Sequence, residues 1–308
     1  MMYRRKKRNQ HGVLAASLLA LGLSGCVSYP PEVIDNAQNS AEAFAAFSQE
    51  YDIDSDVYVP MADGTWASGH LYKPKGIVGP LPTILIRTHY DIWEVEVRYT
   101  PVPSLLDNGY AVLALNERGL YKSGGVYERT IPAPVEDGRA AIDWIIAQNW
   151  SDGNVGLFGC SSSAENQVKL LTARHPAIKA AVPMSAAVAM TRSTATGVNE
   201  PGQSRRGGAF WMGWIPWFFD CGMLKWPAPP AGVDEETRRA YYSSFSIKPI
   251  ARTPDQWPEK IKGFPQIDAM KRLGGAPTEF EAYVLQSMDD PIWDQVRISG
   301  DDVISIPT

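Results

Sequence analysis

Short apolar runs alternate with segments of helical periodicity through the middle of the chain. Runs that are continuously apolar, or that alternate apolar with polar residues, predict β-strands at 56–60, 65–72, 83–87, 110–115, 155–158 and 178–182. Apolar positions three or four residues apart predict helices at 103–109, 135–148 and 164–174. An Asp-Gly pair between the first two strands is typical of a hairpin turn. The pattern therefore predicts an α/β fold, in which an antiparallel hairpin opens a mostly parallel sheet covered by helices on both faces.

The sequence changes character after about residue 186. Four of its ten tryptophans lie within the sixteen residues from Trp211 to Trp226, which is consistent with a pair of core helices, a lid lining an acyl pocket, or both. Helix-like patterns broken by prolines follow, and residues 304–307 predict the entry to another core strand. We therefore predict a core at 51–187, a helical, aromatic-rich cap at 188–297 and the start of a returning core strand at 298–308.

The first 50 residues have the pattern of an export signal and a polar tether. A cationic block at 4–8 precedes the apolar stretch 13–21, which is too short to span a membrane as a helix. The residues Leu-Ser-Gly before Cys26 resemble a bacterial lipobox, which implies a signal peptide at 1–25, a lipid on Cys26 and a tether at 26–50. Val27 favours the outer membrane, facing the periplasm. The alternative is a plain signal peptide that contains a cysteine.

Composition excludes several classes of protein. A hydrophobic content of 44% gives enough apolar mass for a folded core. Without the signal peptide the chain has 24 basic and 34 acidic residues, and this negative charge argues against nucleic-acid binding. The four histidines are scattered and the three cysteines form no metal-binding motif, so we predict no metal and no cofactor. The pattern leaves open the oligomeric state and whether Cys160 and Cys221 pair.

Residues 159–164 read Gly-Cys-Ser-Ser-Ser-Ala between a predicted strand and a predicted helix. In α/β hydrolases a nucleophilic serine occupies such a tight turn, with small residues two positions to either side. Gly159 and Ser163 flank Ser161 in this way, and the start of a helix favours a developing oxyanion. The alternative is a serine-rich loop in which Ser162 or Ser163 caps the helix. Cys160 is expected to be a small buried residue rather than a reactive thiol.

Several segments in fixed order resemble the cocaine esterase / Xaa-Pro dipeptidyl-peptidase (CocE/NonD) family of α/β hydrolases. The segment NWSDGNVGLFGCS at 149–161 is similar to the family's nucleophile segment. The other matching segments are VPMADG at 59–64, LYKP at 71–74, RTHY at 87–90, GYAV at 109–112 and ERGLYKSGG at 117–125. The resemblance implies an α/β-hydrolase fold with a helical cap, over roughly residues 55–190 and more loosely over the cap.

The resemblance also implies roles for individual residues. Ser161 matches the family's nucleophile, and Tyr90 matches the tyrosine whose hydroxyl donates to the oxyanion. The second oxyanion donor is then the backbone N–H of Ser162. The family usually has Tyr, Gly and Asp where this chain has Ser162, Ala164 and Asn116, and the first of these changes alters the pocket wall. An alternative for Tyr90 is a half-buried aromatic residue in a loop.

The acid and the histidine of the family's triad have no counterpart after Ser161. His175 follows at the far end of the predicted helix, roughly 15–20 Å away at a rise of 1.5 Å per residue. His89 precedes the nucleophile and is expected to fill or orient its loop, with a role as the base as the alternative. Residues 290–294 and 304–308 resemble the family just before the strand that leads to its acid. We therefore expect the chain to be truncated before the acid, the histidine and the last core strands.

Two functions are consistent with these observations. The first is a serine hydrolase that cleaves a small ester or amide, or a short peptide in the manner of an Xaa-Pro dipeptidyl-peptidase, through an acyl-enzyme on Ser161. The second is a catalytically incomplete lipoprotein that keeps a hydrolase-like fold and binds an acyl or peptide ligand. In both cases the N-terminal lipid is the expected contact with the membrane.

Overall fold

The computed structural model describes most of the core and shorter pieces of the cap region. The described residues are 42–97, 100–125, 134–186, 205–206, 209–210, 212–213, 215, 232, 257–262, 265–274, 280–285 and 287. The predicted signal peptide with Cys26, much of the tether, most of the tryptophan-rich stretch and the predicted returning strand at 298–308 lie outside them.

Within the described residues, the core is a mixed sheet of six strands. The strands are β1 (Tyr51–Pro60), β2 (Trp66–Pro74), β3 (Leu81–Thr88), β4 (Ala111–Asn116), β5 (Ser151–Cys160) and β6 (Ile178–Met184), in the order β1-β2-β4-β3-β5-β6. The strands β4, β3, β5 and β6 are parallel, whereas β1 pairs antiparallel with β2 and β2 antiparallel with β4. All six predicted strands are present, and the predicted mostly parallel sheet with its antiparallel hairpin is confirmed.

Helices cover both faces of this sheet, as predicted. Three of them, α2 (Val102–Asp107), α3 (Val135–Ile146) and α4 (Ser162–Leu171), lie where apolar periodicity places them. On one face the inward residues of α3 and α4 pack with Leu85, Leu113 and Leu157. On the other face α2 packs with Ile84, Ile86 and Val112. Alternate residues of each central strand therefore serve opposite faces, which explains why these strands are continuously apolar.

A helix that sequence analysis assigned to the tether packs on the core. Residues 42–50 form this helix, α1, and its partly buried Phe44 and Phe47 lie on one face. The ring of Phe47 lies 5.3 Å from Trp93 and 5.8 Å from Tyr72, centroid to centroid, and Phe44 lies 5.0 Å from Trp93. The packed part of the chain therefore begins before residue 51. Two phenylalanines three residues apart in an alanine-rich segment were the available signal.

One turn of π-helix, Ile92–Val97, also went unpredicted. Its sequence IWEVEV alternates apolar and acidic residues, which is typical of a strand. In the structure Ile92, Trp93, Glu96 and Val97 are all buried, a spacing that only a helical turn produces. The turn therefore places a glutamate in the protein interior directly after the loop that carries Tyr90.

An ion-pair cluster ties the hairpin turn to α3. The Arg118 guanidinium donates to both carboxylate oxygens of Asp137, through Nε at 2.7 Å and Nη2 at 2.5 Å, and to Asp63 at 2.8 Å. These bonds raise the pKa of Arg118 and lower that of Asp63. Bidentate geometry of this kind fixes orientation as well as distance, so it holds the β1–β2 turn against α3.

The described pieces of the predicted cap are short. They comprise β7 (Arg205–Arg206) paired with β8 (Ala209–Phe210), α5 (Trp257–Lys260), a 3₁₀ turn (Gln266–Asp268), α6 (Ala269–Leu273) and α7 (Phe280–Leu285). Buried apolar residues occur among them, including Ile215, Met270 and Phe280. None of the helices in the described ranges has the length and apolar character that a membrane span needs.

Candidate active site

The candidate site lies where the parallel strands β3, β4 and β5 end. Tyr90 follows β3, Asn116 ends β4 and Ser161 follows β5, and these strands are neighbours in the order β4-β3-β5. Because carboxyl ends of parallel strands share one edge of the sheet, their loops converge there. The sheet therefore brings together residues that are far apart in the sequence.

Ser161 occupies the predicted tight turn between strand and helix. Its backbone has φ 57° and ψ −124°, a strained conformation for a residue other than glycine. Its side chain is exposed, and its N–H donates to the Met184 carbonyl at 3.0 Å. At Gly159, where φ is +151°, a Cβ atom would lie 2.6 Å from the Cβ of Ser163. Only glycine lets β5 and α4 approach this closely, so the elbow geometry of a hydrolase nucleophile is present.

The hydroxyl of Tyr90 meets that of Ser161 across the site. Tyr90 donates to Ser161 Oγ at 3.2 Å, although the two residues are 71 positions apart. The Tyr90 backbone is held at both ends, since its N–H donates to Thr88 Oγ1 at 3.0 Å and its carbonyl accepts from Asn116 Nδ2 at 2.8 Å. The predicted juxtaposition of Tyr90 and Ser161 is therefore present. Tyr90 is also half-buried in a loop, as the alternative has it, so its role in an oxyanion site stays a prediction. An asparagine amide at 116 supplies a donor that an ionised aspartate lacks.

The hydroxyls of Ser162 and Ser163 do not cap α4. The cap position is Ser161, and no side chain bonds to the first N–H groups of this helix. Ser162 is buried, and within the described residues its hydroxyl has no hydrogen-bond partner. Its N–H lies at the first position of α4, where a helix has no acceptor of its own to offer. Ser163 instead donates to the buried Glu96.

Sequence analysis missed a layer of buried charged and polar groups beneath the elbow. Glu96 Oε1 accepts from Thr88 Oγ1 at 2.6 Å and from Ser163 Oγ at 2.5 Å. Burial raises the pKa of Glu96, and the bonds from Ser163 and Thr88 oppose this rise. The available signal was weak, because an acidic residue in an alternating segment is more often exposed.

A second buried carboxylate lies in the same layer. Glu117 Oε1 lies 2.8 Å from His89 Nδ1 and also accepts from Asn166 Nδ2, which in addition donates to the Arg87 carbonyl at 3.1 Å. Both Glu96 and Glu117 thus connect the loop after β3 to α4. The elbow and the tyrosine loop are therefore joined by polar contacts as well as by the sheet.

The structure describes three histidines, and the hydrogen bonds and ion pairs of each are with residues other than Ser161. His89 is fully buried beside Glu117, which favours the loop-filling interpretation over a role as the base. His175 lies beyond α4, where Nε2 faces Asp143 Oδ1 at 3.0 Å and Nδ1 accepts from the Ala177 N–H. Burial, with a smaller contribution from Lys122, lowers the pKa of His70 to about 4. Within the described part of the chain, the Ser161 hydroxyl bonds to Tyr90 and to no histidine.

The structure contradicts the expectation for Cys160. It was expected to be buried, but it is exposed at the last position of β5, because it lies at the strand end, beyond the buried Phe158 on the same face. Cys221 lies outside the described residues. Across the ranges that the structure describes, no group of three or more His, Cys, Asp or Glu side chains has an arrangement that could hold a metal ion.

Comparison with known proteins gives relatives whose sequences are similar over part of this chain. Cocaine esterase from Rhodococcus sp. (strain MB1 Bresler) is 34% identical over 146 residues, which is 46% of this chain and 25% of that protein. The matched region therefore spans about a quarter of the relative.

Two solved structures are among those similar to this chain. An α-amino acid ester hydrolase matches 80% of this chain and 39% of its own, with a TM-score of 0.57 and 21% identity. A CocE/NonD family hydrolase from Staphylococcus aureus matches 61% of this chain and 36% of its own, with a TM-score of 0.45 and 22% identity. The first likeness shows an α/β-hydrolase fold.

The family profile covers more of the chain than the sequence match to cocaine esterase does. The profile of the X-Pro dipeptidyl-peptidase (S15) family matches residues 63–280, which include Tyr90, the nucleophile elbow and the described cap helices α5 and α6. The chain therefore belongs to the X-Pro dipeptidyl-peptidase (S15) family, as the resemblance to CocE/NonD hydrolases implied.

Proposed function

We propose that this chain carries the nucleophile and the oxyanion site of a serine hydrolase that acts on ester or amide bonds. The observation that supports this most directly is the 3.2 Å contact between the Tyr90 and Ser161 hydroxyls, with Ser161 strained and exposed at an elbow. A phenol O–H beside the nucleophile and the first N–H of the helix that follows it are donors of the kind that suit the negative oxygen of a tetrahedral intermediate.

The proposed reaction proceeds through an acyl-enzyme. Ser161 Oγ attacks the substrate carbonyl, and the carbonyl oxygen becomes an oxyanion bound by the Tyr90 O–H and the Ser162 N–H. The Tyr90 hydrogen therefore moves its bond from Ser161 Oγ to the oxyanion as the nucleophile attacks. The intermediate collapses to release an alcohol or amine, and water then releases the acid and frees Ser161.

The proposal requires a proton acceptor for Ser161 from outside the described residues. His89 and His175 are both engaged elsewhere, with Glu117 and Asp143. Without a base, the serine stays a neutral alcohol and reacts slowly even when it is correctly oriented. The substrate class we propose comprises small esters and amides, including short peptides with an Xaa-Pro sequence, as the names of the family and its relatives suggest.

A fluorophosphonate probe tests the assignment of Ser161 as the nucleophile. The probe phosphorus forms a bond to the attacking oxygen and loses fluoride, so the protein gains one probe mass less hydrogen fluoride. We expect one adduct per chain on the peptide that contains Ser161, formed slowly if no base is engaged and therefore measured after prolonged incubation, by mass spectrometry after proteolysis. Ser161→Ala is expected to remove it, while Ser104→Ala, which changes an exposed serine of α2, is expected to keep it. An adduct on another residue would contradict the proposal.

We also propose that the protein is exported and anchored by a lipid on Cys26 to the outer membrane, facing the periplasm. The support is the cationic block, the short apolar stretch and the Leu-Ser-Gly-Cys sequence at 23–26. We expect the N-terminal peptide of protein extracted from membranes to begin at Cys26 and to carry the mass of attached acyl chains. Cys26→Ala is expected to leave the signal attached. An unmodified Cys26 inside a longer mature peptide contradicts the anchor.

A further inference from the structure

Glu96 is a buried acid whose contacts converge on the candidate site. Only 4% of the residue is exposed, and it lies on the π-helical turn that follows Tyr90. A single oxygen, Oε1, accepts hydrogen bonds from Thr88 at the end of β3 and from Ser163 in the first turn of α4. Burying a carboxylate is costly, and two hydroxyl donors offset only part of that cost. A residue that served packing alone would be better replaced by an apolar one.

The carboxylate determines where the nearby hydroxyl hydrogens point. Ser163 has one hydroxyl hydrogen and two acceptors in reach, Glu96 at 2.5 Å and Thr88 at 3.1 Å. A charged acceptor makes the shorter and stronger bond, so this hydrogen goes to Glu96. The Thr88 hydrogen also goes to Glu96, at 2.6 Å. The Thr88 oxygen is then left to accept the Tyr90 N–H at 3.0 Å.

These bonds connect the two proposed oxyanion donors. On one side, Glu96 orients Thr88, which holds the backbone of Tyr90. On the other side, Glu96 holds Ser163, the neighbour of Ser162, whose N–H is the second donor. Removing the negative charge of Glu96 weakens its bonds to both Thr88 and Ser163. A change at Ser163 weakens only the bond between Glu96 and α4.

We propose that Glu96 is a positioning residue that sets the distance between Tyr90 and the start of α4, and with it the geometry of the oxyanion site. The effect on reactivity rests on the proposed function, whereas the geometric effect can be measured without it. Glu96 touches no reacting atom and acts through Thr88 and Ser163.

The test compares Glu96→Gln with the unchanged 308-residue chain in two measurements. Crystal structures give the distance from Tyr90 Oη to Ser161 Oγ, which we expect to lengthen beyond hydrogen-bond range in the variant. Labelling by a fluorophosphonate gives kinact and KI separately. We expect kinact to fall about 10-fold with KI unchanged, because the loss concerns stabilisation of the transition state rather than probe binding.

Two further variants are included, one as a second test and one as a control. Ser163→Ala removes one of the two bonds and is expected to shift both readouts in the same direction by less, so it serves if Glu96→Gln does not fold. Asp137→Asn is the matched control, because it neutralises another buried, hydrogen-bonded carboxylate away from the site. Its Tyr90–Ser161 distance and kinact are expected to equal those of the unchanged chain.

Three results have a definite meaning. Unchanged distance and kinact in Glu96→Gln overturn the proposal, and so does an equal change in Asp137→Asn, which indicates general destabilisation. A lengthened distance in a protein whose Ser161 does not label at all supports the positioning role and contradicts the proposed function instead.

Discussion

Hydrolysis of a p-nitrophenyl ester by the 308-residue chain is expected to be about 10⁴–10⁶ times slower than by a family member with a complete triad. The physical reason is that none of the described histidines faces Ser161, since His89 and His175 pair with Glu117 and Asp143. The measurement is turnover of a p-nitrophenyl ester and of Gly-Pro p-nitroanilide, with the Rhodococcus cocaine esterase assayed alongside on the ester.

Ser161→Ala is the control for this expectation. Triad residues act as a unit, so removing one costs about as much as removing several. A chain without an engaged base should therefore lose little more turnover when Ser161 is also removed. Fast turnover that disappears in Ser161→Ala would contradict the prediction, and would mean that a base reaches the serine from residues outside the described ranges.

Tyr90→Phe is expected to slow fluorophosphonate labelling of Ser161 about 100-fold, the effect typical of losing one oxyanion donor. The phosphoryl oxygen gains negative charge during attack and needs the same donors as a carbonyl oxygen. Phenylalanine keeps the ring and removes only the hydroxyl that lies 3.2 Å from Ser161 Oγ. The measurement is the second-order rate constant for adduct formation, followed by intact mass.

The matched control for Tyr90 is Tyr110→Phe. Tyr110 is also a partly buried tyrosine, but it packs against the core cluster that contains Val112 and Leu106. We expect its removal to leave the labelling rate within about twofold, as is usual for a change away from the reacting atoms. Equal rates for Tyr90→Phe and the unchanged chain would remove Tyr90 from the oxyanion site.

Local patterns were sufficient to predict most of the core. Strand positions follow from apolar runs and helix positions from a repeat of three or four residues, and both depend only on nearby sequence. The pattern failed at residues 92–97, because the alternation of IWEVEV is typical of a strand while the chain forms a π-helical turn. It failed also at α1, whose helix is stabilised by packing of Phe44 and Phe47 on Trp93, a contact that local sequence does not reveal.

The candidate site, like the fold, could be predicted from the sequence only in part. The elbow at Ser161 could be predicted because Gly159 and the flanking strand and helix are its neighbours in the sequence. The role implied for Tyr90 came from family resemblance, and its position from the sheet. Cys160 shows the limit of residue type as a guide, because a residue usually buried is exposed here at the end of a strand.

The sequence by itself determined the order of strands and helices, the hairpin and the strained turn at Ser161, since each depends on residues close together in the chain. Only the tertiary structure decided that Tyr90 meets Ser161 across 71 positions and that Glu96 meets Ser163 across 67. The physical reason is that these contacts depend on the strand order β4-β3-β5 and on the register between parallel strands. Register and order arise from packing of the whole sheet against its helices, which no local pattern contains.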